Sequence, residues 1–168
     1  RKRCKGGFST CKESFRSRQE DRGYLLCSTK ERFSYCIMRF PYLQLGPNDF
    51  APIITLKILG KEGWIDMEAY IDSGASFSIL STERAEILGI DYEKGDRLHL
   101  TVGDGGLLEV YIHKLKVEMA NYHFIAEIGF SKQLGVGFNL LGRRSFFDRF
   151  QICFDDKHRF VELHQISS

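Results

Sequence analysis

The sequence has no run of about eighteen or more apolar residues, the length expected of a helix that crosses a membrane. No secretory leader is visible in it either. Its apolar and charged fractions, 43% and 27%, are typical of a globular chain. We therefore expect a cytoplasmic protein that has no membrane partner.

The usual motifs of metal, phosphate and serine chemistry are also missing. The five histidines show neither H-x3-H nor H-E-x2-H spacing, and the cysteines lack the close C-x2–4-C pairs that hold zinc. No serine lies in a G-x-S-x-G turn. Gly103-Asp104-Gly105-Gly106 is not followed by the Lys-Ser/Thr of a phosphate-binding loop. We expect no metal and no cofactor.

Positive charge and cysteine are concentrated near the beginning of the sequence. Residues 1–37 carry a net charge of +6, whereas residues 38–168 carry a net charge of −4. We predict that residues 1–47 form a basic, poorly ordered N-terminal segment and that residues 48–168 form the folded domain. The segment could bind nucleic acid, which we expect nowhere else in the chain, or remain a solvated tail. It contains four of the five cysteines, which we expect as free thiols: Cys4, Cys11, Cys27 and Cys36.

Short apolar runs alternate with glycine-containing turns through the rest of the chain, which is typical of an all-β domain. The run Trp64–Ile71 alternates strictly, so Met67, Ala69 and Ile71 are predicted to face the core together with Ile65. Other strands are predicted at Pro52–Leu59, Phe77–Leu80, Arg97–Val102, Leu107–Val117, Ala126–Phe130, Gly137–Leu141, Gln151–Asp155 and Arg159–His164.

Two short helices are predicted between these strands. Ser81 can cap a helix that runs to Leu88, and Gly89 can end it. One or two helical turns are predicted within Ser145–Phe150.

Asp72 follows the apolar end of a predicted strand and precedes Ser73, Gly74 and Ala75. Glycine allows the backbone to approach closely, and its N–H can donate to the aspartate carboxylate. The same tripeptide also occurs in ordinary turns. Taken alone, Asp-Ser-Gly therefore leaves an active-site loop and a simple turn as alternatives.

A second motif, Phe138-Asn139-Leu140-Leu141-Gly142-Arg143, follows a later apolar stretch. Together with Tyr70-Ile71-Asp72-Ser73-Gly74-Ala75, it resembles the retropepsin family, the single-domain aspartic proteases of retroviruses, retroelements and their cellular relatives. The resemblance implies an all-β, closed barrel of the retropepsin (acid protease) type, with one or two short helices and a β-hairpin flap.

The resemblance also implies roles for individual residues. Asp72 corresponds to the catalytic aspartate, and Ser73, Gly74 and Ala75 to its active-site loop. The strand that supports this loop corresponds to Leu140, Leu141 and Gly142. The flap corresponds to Gly103, Asp104, Gly105 and Gly106.

One aspartate motif per chain implies a homodimer, because aspartic proteolysis needs two carboxylates that share a proton. The implied activity is endoproteolysis by a water molecule activated between the two Asp72 carboxylates. The implied substrate is an extended peptide or protein covered by the flap. Ser73 is expected to form a hydrogen bond across the dimer interface.

The sequence departs from many retroviral members at Ser76. In those proteins an aspartate follows the Ala of the motif and pairs with the arginine after the late glycine, which here is Arg143. This difference leaves the organisation of the dimer interface open. An alternative function is a catalytically weak member that keeps the fold as a dimerisation or peptide-binding module.

Overall fold

The computed structural model describes residues 24–28, 35–103, 105–135 and 137–166, and this part of the chain is mostly β. It contains one α-helix, α1 (Thr82–Leu88), a 3-10 turn (Tyr92–Lys94) and an irregular helical turn (Arg143–Phe147). The prediction of an all-β domain with short helices is confirmed. The strands are β1 (Tyr24–Ser28), β2 (Tyr35–Pro41), β3 (Leu43–Gly46), β4 (Asp49–Ala51), β5 (Ile53–Gly60), β6 (Gly63–Ile71), β7 (Ser78–Ser81), β8 (Asp96–Thr101), β9 (Leu107–Met119), β10 (Tyr122–Ser131), β11 (Asn139–Leu141), β12 (Phe150–Asp155) and β13 (Phe160–Gln165).

Seven strands form one sheet in the order β10-β7-β11-β6-β5-β9-β8, and β10 additionally pairs with β9. Most neighbours are antiparallel, but β11 runs parallel to β6 and β7 runs parallel to β10. Strands β3 and β4 form a separate two-stranded sheet. The predicted hairpin of β8 and β9 is present. Closure of these strands into a barrel stays a prediction.

Alternation along β6 produces the buried face that the sequence predicts. Met67, Ala69 and Ile71 are 2%, 2% and 3% exposed, whereas Ile65 is only half-buried. They belong to the main hydrophobic core, which also contains residues of β5, β9, β10 and β13. This burial holds the end of β6, and thus the residue after it, against the interior of the domain.

Helix α1 lies where the sequence predicts it, directly after β7. Gly89 ends it with φ of 70°, a left-handed conformation that glycine adopts without strain. Ser81 occupies the N-cap position, but its side chain makes no capping hydrogen bond. Its backbone N–H instead lies 3.4 Å from the side-chain oxygen of Asn139, which ties the start of the helix to β11.

A four-stranded sheet, β1-β2-β13-β12, brings residues from the predicted N-terminal segment into the domain. Strand β2 pairs with β13, and its Met38 and Phe40 are 0% and 4% exposed within the main core. Strands β2 and β3, within residues 35–46, therefore already lie before the domain boundary that the sequence predicts after residue 47. Residues 1–23 and 29–34 lie outside the described part of the chain, so the poor order and the nucleic-acid contact expected there stay predictions.

Replacing Met38 with alanine tests this packing. We expect Met38→Ala to lower the free energy of unfolding by about 2–5 kcal/mol, because it removes a fully buried side chain and leaves a cavity. Leu45→Ala is the matched control: Leu45 is 43% exposed, and its loss should cost about 0.5 kcal/mol or less. Urea denaturation measures both values. Equally small effects would show that β2 does not pack against the core.

Candidate active site

Asp72 is the first residue after β6, and backbone hydrogen bonds fix its position from two sides. The N–H of Ile71 donates to the carbonyl of Pro52 at 3.0 Å, and the N–H of Asp72 donates to the carbonyl of Leu141 at 3.0 Å. The preceding Ile71 is buried, while Asp72 itself is half-buried. The carboxylate therefore leaves the core at a defined point and remains within reach of solvent.

The next residues turn back toward the carboxylate. The N–H of Gly74 donates to Oδ1 of Asp72 at 2.8 Å. A Cβ added at Gly74 would lie 3.1 Å from the same oxygen, so a larger residue would crowd the carboxylate. Ser73 and Gly74 are exposed. The loop thus orients its aspartate with its own backbone and presents the following two residues to the outside.

Strand β11 supports this loop from behind. Leu140 lies opposite Tyr70 in the parallel pairing with β6 and opposite Ile79 in the antiparallel pairing with β7. Gly142 follows in a space that admits no side chain, because a Cβ there would lie 2.2 Å from the carbonyl oxygen of Phe77. Leu141 and Gly142 therefore lie against the Asp72 loop, and Leu140 joins the strands on either side of it.

Two buried polar side chains, those of Ser78 and Asn139, join the same strands. The hydroxyl of Ser78, 0% exposed, accepts the N–H of Gly142 at 3.0 Å. The amide of Asn139 donates to the carbonyl of Glu68 at 2.8 Å. Buried polar groups of this kind are costly unless they are paired, so each pairing favours one arrangement of the strands. Asn139 belongs to the late motif, but nothing in the sequence distinguishes Ser78 from a surface serine.

Arg143 has a neutral side-chain partner in the residues that follow Asp72. Its Nη2 lies 3.1 Å from the hydroxyl oxygen of Ser76, to which it donates. Its backbone N–H donates to the carbonyl of Ala75 at 2.9 Å, and the next N–H, that of Arg144, donates to the carbonyl of Ser76 at 3.0 Å. The arginine thus joins the loop to the residues after β11, although it forms no ion pair with any of the described residues.

The predicted flap is a glycine-rich turn between β8 and β9. The N–H of Val102 donates to the carbonyl of Gly106, and the N–H of Gly105 donates to the carbonyl of Val102, both at 2.9 Å. Gly105 has φ of 85°, which glycine adopts readily. Gly103, Gly105 and Gly106 are exposed, and Asp104 lies outside the described residues.

The base of the flap packs against β7, the strand that follows the aspartate loop. Leu108, Val110 and Ile112 of β9 form a second apolar cluster with Ile79 of β7. Strand β7 begins shortly after the loop that contains Asp72. One cluster of side chains therefore links the flap to the strand that leaves the loop.

The hairpin of β8 and β9 also carries a cluster of polar side chains, on the side away from its apolar cluster. Glu109 lies at the centre of these polar side chains. Its carboxylate accepts from Nε of Arg97 at 2.7 Å and from the hydroxyl of Tyr111 at 3.0 Å. The hydrogen bond from Arg97, followed by that from Tyr111, holds the pKa of Glu109 below its ordinary value. Because the pKa is lowered by folding, the interaction stabilises the hairpin above the ordinary carboxyl pKa and weakens as the pH falls through the lowered value.

A surface cavity of about 530 Å³ lies beside the end of β11. Its lining includes Phe138, Asn139 and Lys132, but not Asp72. It therefore does not mark the position of the aspartate. Among the described residues, no group of three or more His, Cys, Asp or Glu side chains is arranged to hold a metal ion.

A retropepsin-like aspartic protease from Rickettsia conorii has a similar structure, with a TM-score of 0.56, 16% sequence identity and coverage of 83% of this chain and 100% of that chain. The chain has a retropepsin-like fold. EIAV protease complexed with the inhibitor HBY-793 is also similar, with a TM-score of 0.43, 19% identity and coverage of 60% of this chain and 88% of that chain. No protein-family model matches the sequence, and no curated protein matches it.

At these identities the likeness concerns the retropepsin-like fold alone. The catalytic role of Asp72 and the roles of the loop, the supporting strand and the flap stay predictions. Within the described part of the chain, no helix has the length and apolar character needed to cross a membrane. The cytoplasmic location likewise stays a prediction.

Gly142 offers a direct test of the close packing behind the loop. We expect Gly142→Ala to lower the free energy of unfolding by about 1–3 kcal/mol or more, because the added methyl group would collide with backbone atoms of Phe77 and Ala75. Gly137→Ala is the control, since a Cβ there meets nothing within 4 Å. Thermal and urea denaturation compare the two. If both variants were equally stable, strand β11 would not lie this close to the loop.

The cluster of polar side chains around Glu109 predicts a pH dependence. Glu109→Gln should lower the hydrogen-exchange protection of amides in β8 and the first half of β9 about twofold to fivefold at neutral and mildly acidic pH, because the pair with Arg97 is lost. The difference from the wild type should disappear only when the pH falls below the ordinary carboxyl pKa, since folding lowers the pKa of Glu109.

Glu86→Gln, on the exposed side of α1, is the control and should leave the flap amides unchanged. A difference that vanished already near neutral pH would contradict the lowered pKa.

Proposed function

We propose that the chain is one subunit of an aspartic endopeptidase that hydrolyses peptide bonds with a water molecule activated between two Asp72 carboxylates. The observation that carries this proposal is the placement of Asp72. It lies in an Asp-Ser-Gly loop, accepts the N–H of Gly74 and is held by the carbonyl of Leu141, within a retropepsin-like fold.

The chemistry requires two carboxylates in different protonation states. When two such groups approach closely, they cannot both ionise, so one accepts a proton from water while the other donates a proton to the substrate carbonyl. The Asp72 loop supplies one of them. A two-fold homodimer that brings two such loops together supplies both, and a two-fold axis gives each carboxylate the same surroundings until substrate binds.

The exposed part of the loop suits this assembly. Ser73 and Gly74 are open to contact from outside the subunit. In the proposed dimer, Ser73 forms a hydrogen bond across the axis, while Gly74 keeps its own Asp72 oriented. Ala75 is too small to obstruct a chain that passes over the carboxylates.

The flap supports an extended peptide as the substrate. The tip formed by Gly103, Asp104, Gly105 and Gly106 carries little side-chain bulk, so its backbone can approach a bound chain and pair with it as an added strand. Closure would also exclude water from the reacting carbonyl. We therefore propose that the flap binds the main chain of the substrate rather than one particular side chain.

Replacing the aspartate tests the catalytic role. Asp72→Asn should lower kcat/KM for cleavage of a denatured protein at mildly acidic pH by at least about a hundredfold, because the amide cannot act as acid or base. Asp49→Asn, at the exposed start of β4, is the matched control and should keep wild-type activity. If wild type and Asp72→Asn were equally inert as dimers, the catalytically weak binding module would be the better description.

Mixed dimers test whether the two aspartates act together. When wild-type and Asp72→Asn chains are unfolded together in equal amounts and refolded, about a quarter of the dimers contain two aspartates. The specific activity should then be about a quarter of the wild-type value at the same total concentration. A value near one half would mean that each chain works independently.

A further inference from the structure

Arg143 carries its charge beside the Asp72 loop without an acidic partner among the described residues, unlike Arg97 and Arg144. Among the residues that the structure describes, no carboxylate lies within 4.0 Å of its guanidinium, and its side-chain hydrogen bond goes to the hydroxyl of Ser76. Arg144 pairs with Glu127 at 2.5 Å, and Arg97 pairs with Glu109. Arg143 therefore keeps a positive charge that no neighbouring side chain neutralises.

The position of this charge is fixed by the loop. The backbone of Arg143 is held to Ala75, and one corner of its guanidinium is held to Ser76. A guanidinium has five N–H donors in a planar fork, of which the hydrogen bond to Ser76 uses one. The side chain is exposed, so the remaining donors can be reached from outside the domain. A carboxylate fits such a fork with two parallel hydrogen bonds.

The loop also places the guanidinium of Arg143 close to Asp72, where peptide hydrolysis is proposed to occur. Ser76 follows Asp72 by four residues, and Arg143 follows the glycine packed behind the same loop. A peptide bound across Asp72 in extended form advances about 3.3 Å per residue. Side chains a few positions from the scissile bond would therefore pass within reach of the guanidinium.

We propose that Arg143 binds the carboxylate of an acidic side chain in the substrate, so that the enzyme prefers peptides with glutamate or aspartate near the cut. The proposal rests on the peptidase function proposed above. It makes Arg143 a specificity-determining residue, and it makes Ser76 the residue that leaves the charge of Arg143 available, because a hydroxyl orients the guanidinium without neutralising it.

A paired-peptide scan tests the preference. Peptides of one sequence carry a single glutamate, or the matched glutamine, at each of four positions on either side of the cut. For the wild type, kcat/KM should be about threefold to tenfold higher with glutamate at one position, as expected for a partly solvated charge-assisted pair. The ratio should fall as the salt concentration rises, because the charges are then screened.

Ser76→Asp is the decisive variant. An aspartate at this position supplies Arg143 with a carboxylate from its own chain, so the glutamate-to-glutamine ratio should fall to about one. Ser76→Asn, which is similar in size but neutral, should keep a ratio above one. Arg143→Gln should remove the preference, and Arg143→Lys should keep part of it, because lysine retains the charge but not the planar fork. Each ratio is measured within one variant, so general losses of activity cancel.

The same peptides are also titrated against Asp72→Asn protein by fluorescence anisotropy, which separates this inference from the proposed function. Tighter binding of the glutamate peptide without cleavage by the wild type would support the role of Arg143 and overturn the peptidase. Cleavage with a ratio of one at every position would overturn the role of Arg143 alone. The role of Arg143 would also be overturned if the preference for glutamate survived Arg143→Gln. The same holds if Ser76→Asp changed only the dimer dissociation constant. If no peptide were either bound or cleaved, both the role of Arg143 and the proposed peptidase function would be overturned.

Discussion

The position of Asp72 depends on how closely β11 passes behind its loop. Strand β11 lies between β6 and β7, so it contacts both the strand that leads to the aspartate and the strand that leaves it. Backbone hydrogen bonds join the N–H of Asp72 to Leu141 and the N–H of Arg143 to Ala75. This arrangement needs a residue without a side chain at Gly142, because a Cβ there would lie 2.2 Å from the carbonyl oxygen of Phe77. The loop is therefore positioned by backbone contacts, and only a few side chains are restricted in identity.

The same constraint extends from the loop to the rest of the domain. Strand β7 carries Ile79 into the apolar cluster at the base of the flap, while Ile71 and Leu141 belong to the main core. The four-stranded sheet contributes Met38 and Leu163 to that core. Moving β11 would thus disturb the aspartate loop, the base of the flap and the sheet that joins both ends of the described chain. A hinge is better placed at the tip of the flap, where Gly105 adopts a left-handed conformation and the described glycines are exposed.

The sequence predicted those parts of the fold that leave a local pattern. The alternation of Trp64–Ile71 identified β6 and its buried face, and Gly89 marked the end of α1, because both signals depend on nearby residues. The burial of Met38 left no such signal, since it arises from pairing with β13 at the far end of the chain. Ser78 leaves no signal in the sequence for a similar reason: only the approach of Gly142 makes its hydroxyl a buried acceptor. Contacts between distant segments were thus the main information that the sequence patterns did not provide.

The neutral hydroxyl of Ser76 as the partner of Arg143 is compatible with this division of roles. Because the backbone bonds of Ala75 and Leu141 already fix the loop, the side-chain bond between Arg143 and Ser76 contributes to its position without being required for it. A neutral partner can therefore be tolerated, and an exposed guanidinium remains well solvated without an ion pair. The consequence is electrostatic: the loop beside Asp72 gains a positive charge, which favours an anionic group in whatever chain binds next to it. Under the proposed function, a residue choice that costs little in folding would alter which peptides the site accepts.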